Sequence, residues 1–105
     1  MKIKLIPKEN FDKKSIETIT KLVGIAENLL KSLDVDVPDS IEFYDELDPF
    51  IKRILSQVEG YGLTSKQARE FIKASLNSGT YGTFDIKDNT IIEMNFNPYL
   101  SLEFS

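Results

Sequence analysis

The stretch TYGTFDIKDNTIIEMNF, residues 80–96, decides how the sheet is read. Two runs suited to strands, Thr80 to Ile86 and Thr90 to Phe96, flank the turn-forming triplet Lys87-Asp88-Asn89. β-Branched and aromatic residues recur through both runs, as pleated, half-buried segments require. A three-residue loop predicts a hairpin with Phe84 opposite Ile92 and Gly82 opposite Met94, gathering apolar side chains on one face. Downstream, Asn97-Pro98 makes another turn. Leu100, Leu102 and Phe104 then alternate with Ser101, Glu103 and Ser105, the pattern of a last strand. Strands this close in sequence pair antiparallel, so a mainly antiparallel sheet is expected.

Upstream of the hairpin the period changes from two to 3.6. Thr64-Ser-Lys-Gln67 fits a capping box, and Ala68, Phe71, Ile72 and Leu76 supply an apolar helical face that Gly79 should close. Asp48-Pro49 predicts an earlier helix start, with Asp48 as N-cap. Its inward residues are Phe50, Ile51, Ile54, Leu55 and Val58, and it should stop near Gly60. Ser40 to Tyr44 reads as a strand with Ile41 and Phe43 on one face and Glu42 and Tyr44 on the other. A long helix from Asn10 or Asp12 to about Leu33 is predicted by Ile16, Ile19, Val23, Ala26, Leu30 and Leu33, with Leu22 and Leu29 widening the stripe. Lys2 to Ile6 is a first strand that Pro7 ends. The expectation is one α+β domain over residues 1–105, ordered β-α-β-α-α-β-β-β, with about five short strands, one long helix and two shorter ones.

Composition excludes more than it assigns. The 105 residues contain no cysteine and no histidine. The usual zinc sites, Ser-His-Asp and Cys-His nucleophiles and an imidazole base are therefore ruled out, as is a disulfide framework. The five glycines form no phosphate-binding loop. No apolar run reaches membrane-spanning length, and the N-terminal apolar stretch is too short for a signal-peptide core. The expectation is a cytoplasmic, non-enzymatic protein without a cofactor or metal and without membrane attachment.

Charge supplies the sharpest local signal. The segment from Asp34 to Asp48 carries Asp34, Asp36, Asp39, Glu42, Asp45, Glu46 and Asp48 and no lysine or arginine. Residues 1–14 and 49–75 each carry a net charge of +3, so the overall −4 hides a strong polarity. A field of this kind steers a basic partner. The same acids fail as a calcium loop, because Pro38, Asp39 and Asp45 occupy positions five, six and twelve. Asp85, Lys87 and Glu93 are in the wrong order for the acidic-plus-lysine set of metal-dependent nucleases.

Two functions from different classes follow. The first is a non-catalytic protein-binding module, an inhibitor or accessory factor, that engages a basic partner through Asp34, Asp36, Asp39, Glu42, Tyr44, Asp45 and Glu46. The second is a winged-helix nucleic-acid binder, with Lys66, Arg69 and Lys73 on one helical face and the 80–96 hairpin as wing. A carboxylate enzyme using Mg²⁺ is a third, weaker reading. The helix over residues 16–33 also offers a seam for a homodimer.

Overall fold

The computed structural model describes residues 1–77 and 82–94, with side chains described for 1–74 and 82–94. The order is β1 (Lys2–Ile6), α1 (Lys13–Ser32), β2 (Ser40–Tyr44), α2 (Leu47–Glu59), α3 (Ser65–Asn77), β3 (Gly82–Asp85) and β4 (Thr90–Met94), with one 3-10 turn at Lys8–Asn10. The fold is α+β, as expected. The expected last strand at Leu100–Phe104 and the Gly79 cap lie outside the described residues.

The sheet differs from expectation. Among the described residues it has four strands in the order β1-β2-β4-β3 and is mixed, not mainly antiparallel. β1 and β2 pair in parallel, as do β2 and β4; only β3 and β4 are antiparallel. The reason is the number of reversals between neighbours. A single helix brings the chain from β1 back to the end where β1 began, so β2 must run the same way. Between β2 and β4 the chain reverses through α2, α3 and β3, which again restores the direction of β2.

The hairpin register is also shifted by one. Phe84 pairs with Ile91, Thr83 with Ile92, and Gly82 with Glu93. The loop has four residues, Ile86 to Asn89, with Asn89 at φ 50°. A polar anchor overrides the apolar match: the Asp85 carboxylate accepts the Lys87 backbone N–H at 3.1 Å, and the Thr90 hydroxyl donates to the Asp88 carbonyl at 2.9 Å.

Two layers of packing result. Ser40, Glu42 and Tyr44 share a sheet face with Thr90, Ile92 and Met94. Tyr44, Phe50, Ile54, Ile72 and Ile92 form the core cluster there, so α2 and α3 lie on this face. A long helix joining two adjacent parallel strands must cross one face of their sheet. α1 therefore crosses the other; Ile41, which points to that face, and Val23 of the helix are both buried. The buried stripe of α1 is narrower than predicted: Ala26, Leu22, Leu29 and Leu33 are exposed.

Helix ends follow sequence rules with one exception. Asp12 caps α1 by accepting the Ser15 N–H at 2.6 Å, a bond that holds its carboxyl below the ordinary range. At the other end Asp34 adopts φ 57°, with the Val35 N–H bonded to the Leu30 carbonyl and the Asp34 N–H to the Lys31 carbonyl. That is a Schellman closure with aspartate in the left-handed position. The exception is α2, where Glu46 takes the N-cap position without a side-chain bond and Asp48 lies in the first turn. Aspartate there still faces the positive helix end, and Pro49 forfeits an N–H that had no helical partner.

Before α3 the predicted box is present in both directions: Thr64 N–H to Gln67 Oε1 at 3.0 Å, and Gln67 N–H to Thr64 Oγ1 at 3.2 Å. Thr64→Ala should lower stability by about 1 kcal/mol, read as a drop in Tm of roughly 5 °C. An unchanged Tm would show that the box contributes nothing.

Candidate protein-docking surface

The acidic segment does not stay together. Glu42 and Tyr44 sit on β2, an interior strand covered on both faces, and both are buried. The Tyr44 hydroxyl donates to Glu42 Oε1 at 2.8 Å. Burial first, then this bond to a carboxylate, raises the Tyr44 phenol far above its ordinary value.

Arg53, on α2, completes the arrangement. Its Nε donates to Glu42 Oε1 at 3.0 Å, and its Nη2 donates to Asp85 Oδ2 and to Asp88 Oδ2, each at 3.0 Å. One guanidinium thus joins α2 to β2, to the end of β3 and to the hairpin loop. Burial pushes the Asp85 carboxyl upward. The Arg53 bond and the backbone N–H groups of Asp88 and Lys87 outweigh it and hold Asp85 below its ordinary value. Burial likewise works against the Arg53 cation, and Asp85 and Glu42 more than compensate. Tyr61 adds a hydroxyl to Asp85 Oδ1 at 3.3 Å, and the Lys87 ammonium lies 5.4 Å from the Tyr61 ring centre. This is an internal brace whose acceptors are already engaged.

Sequence alone assigns Arg53 no role; it is only one of the two arginines. The available signal was a cation set between the inward positions Phe50 and Ile54, on the helix following a strand with alternate acidic residues. Asp85 and Glu93 point to opposite faces of the sheet, which separates the nuclease-like set. Among the described residues no group of acidic side chains converges to hold a metal ion.

The remaining acids face solvent. Asp34, Asp36, Asp39, Glu46 and Asp48 are exposed, and Asp45 is half-buried. Glu46 accepts from the Asn10 amide at 3.3 Å. None of Asp34, Asp36 and Asp39 enters an ion pair with another described residue. They lie along the connection from α1 to β2, where Leu33 and Val35 are exposed too. Asp39 also borders an open basin of about 550 Å³ with Lys2, Lys4, Ser40, Glu42 and Asp88. Its floor is the Ser40–Thr90 hydroxyl pair at 2.7 Å.

Lys66, Arg69 and Lys73 are exposed along α3, opposite buried Ala68 and Ile72. Phe71, expected inward, is exposed at the mouth of an apolar recess of about 310 Å³ between α2, α3 and β3. The hairpin is built into the sheet, with β4 bonded on both sides, so it does not project as a free wing. No described helix is long and apolar enough to cross a membrane. No family model matches the chain, and the comparisons with curated proteins and with solved structures give no match either.

Proposed function

We propose that the chain is a non-catalytic protein-binding module that meets a basic partner through the acidic connection between α1 and β2. The supporting observation is that Asp34, Asp36 and Asp39 remain exposed and in no ion pair with a described residue, while Glu42 is consumed by Arg53. The surface is accordingly narrower than the sequence suggested, with Asp36 and Asp39 at its centre, exposed Val35 beside them, and Glu46 and Asp48 further along. Carboxylates around an exposed apolar side chain suit a cationic segment, with charge setting the encounter rate and the apolar contact retaining the complex.

The nucleic-acid reading has less support. Lys66, Arg69 and Lys73 form a short basic row on a chain of net charge −4, and β4 is an interior strand.

Capture of partners from nuclease-treated cell lysate tests the proposal. The wild type should retain proteins with basic surfaces and release them as salt rises. Asp36→Asn with Asp39→Asn should reduce that capture by about tenfold and flatten its salt dependence. Capture unchanged by the double substitution, or dependent on nucleic acid, would overturn the reading.

A further inference from the structure

The sheet face that carries the core is polar at one end. α2 and α3 pack over Tyr44 and Ile92. Toward Ser40 and Thr90 the same face sinks into the open basin of about 550 Å³, which Lys2, Lys4, Glu42 and Asp88 also line. Register sets Lys2 beside Ser40 and Lys4 beside Glu42, so both lysines stand on this face of β1. They are exposed, and neither enters an ion pair with another described residue. On the opposite side one guanidinium, Arg53, meets three carboxylates, Glu42, Asp85 and Asp88, so that side stays net negative.

The floor has a fixed polarity of its own. The Thr90 hydroxyl commits its proton to the Asp88 carbonyl at 2.9 Å, so in the 2.7 Å hydroxyl pair Ser40 donates and Thr90 accepts. Ser40 Oγ therefore offers the basin lone pairs and no proton, from a residue that is 8% exposed.

We propose that the basin takes a small zwitterion of dipeptide length, its carboxylate on Lys2 and Lys4 and its ammonium on Ser40 Oγ, toward Asp88. The length follows from the sheet. β1 and β4 stand two strand spacings apart, about 10 Å, and lysine side chains are able to close part of that span. A dipeptide extends about 7 Å, at about 3.5 Å per residue. The charges select the occupant: an anion alone would face the acids, and a cation alone would face the lysines. An apolar segment laid here would leave two ammonium groups and an acceptor floor without partners.

NMR titration of the isotopically labelled chain with alanyl-alanine reads the site through the backbone N–H groups of Lys4, Ser40 and Thr90. Saturable shifts centred on these groups are expected, with a Kd on the order of 1 mM, as an open site and a small ligand allow. N-acetyl-alanyl-alanine lacks the ammonium and alanyl-alanine amide lacks the carboxylate. Each should bind about tenfold more weakly. Lys4→Gln, on an exposed position of an edge strand, should weaken alanyl-alanine about fivefold with an unchanged circular dichroism spectrum, and Lys4→Arg should retain it. Ser40→Ala should weaken it as well, by removing the acceptor. Absence of saturable shifts overturns the proposal, as does a Lys4→Gln chain that binds equally well. Equal binding of either blocked peptide overturns the zwitterion. Asp36 and Asp39 are left unchanged in every variant, so failure here does not touch the capture that tests the proposed function.

Discussion

Arg53→Met should lower stability by about 3 kcal/mol at pH 7, the largest effect expected of any polar substitution. The guanidinium holds Glu42 and Asp85, both buried, and removing it leaves two carboxylates out of water without a counter-charge. Adding Glu42→Gln and Asp85→Asn to Arg53→Met should recover more than half the loss, because the cost lies in the stranded charges.

The pH dependence gives the same cause a second signature. In the native protein Asp85 titrates below its ordinary value of 3.8. Its contribution is therefore present above that value and is lost as pH falls through the depressed one. Without Arg53 the order reverses. Burial then favours protonated Asp85, and the deficit of Arg53→Met should narrow as pH falls from 7 toward 4. Tyr44 works from the other side: its raised value gives stability below pH 10 that is lost as pH rises further. Urea titrations at pH 7 and pH 4.5 decide the matter. A deficit under 1 kcal/mol at pH 7, or one that widens on acidification, would show that the brace is not holding buried charge.

Ile92→Ala should cost about 3 to 4 kcal/mol, a large share of the stability of a domain this size. Ile92 is 0% exposed on the central strand β4 and belongs to the cluster with Tyr44, Phe50, Ile54 and Ile72. Two strands and two helices close around it, and a sheet hydrogen-bonded on both sides of β4 cannot collapse into the space left behind. Ile92→Val should cost about 1 kcal/mol in the same assay. A loss below 1.5 kcal/mol for Ile92→Ala would mean that the helices close over the gap.

The two substitutions mark where sequence reading succeeds and stops. Local signals are complete in themselves: the Thr64–Gln67 box, the Asp12 cap and the apolar spacing of α2 each depend on residues within one or two turns, and each was legible. Strand direction was not, because it depends on how many reversals the intervening chain makes. The exposure of Glu42 and Tyr44 was misread for a related reason. Alternation on Ser40–Tyr44 looks like one wet face, yet an interior parallel strand has none. The hairpin register turned on the Asp85 and Thr90 bonds within the loop, which compete with the apolar match that alternation alone suggests. Of the partner-binding candidates, Asp34, Asp36 and Asp39 in the connection remain at the surface, and Glu42 and Tyr44 on the strand became part of the interior. Leu22, Leu29 and Leu33 were read into one wide stripe with Val23, and sequence alone could not divide it into the part facing the sheet and the part facing out.

The placement of β4 between β2 and β3 carries a further consequence, for the rate at which the fold is reached. The Ser40–Thr90 contact at the centre of the sheet joins residues 50 positions apart. Closing so long a segment loses chain entropy before any apolar contact compensates for it. The α2–α3 hairpin, with its local cap, can form and dissolve many times before β4 finds its slot. Folding should therefore be paced by the arrival of β4, with Ile92→Ala slowing it and Thr64→Ala mainly hastening unfolding.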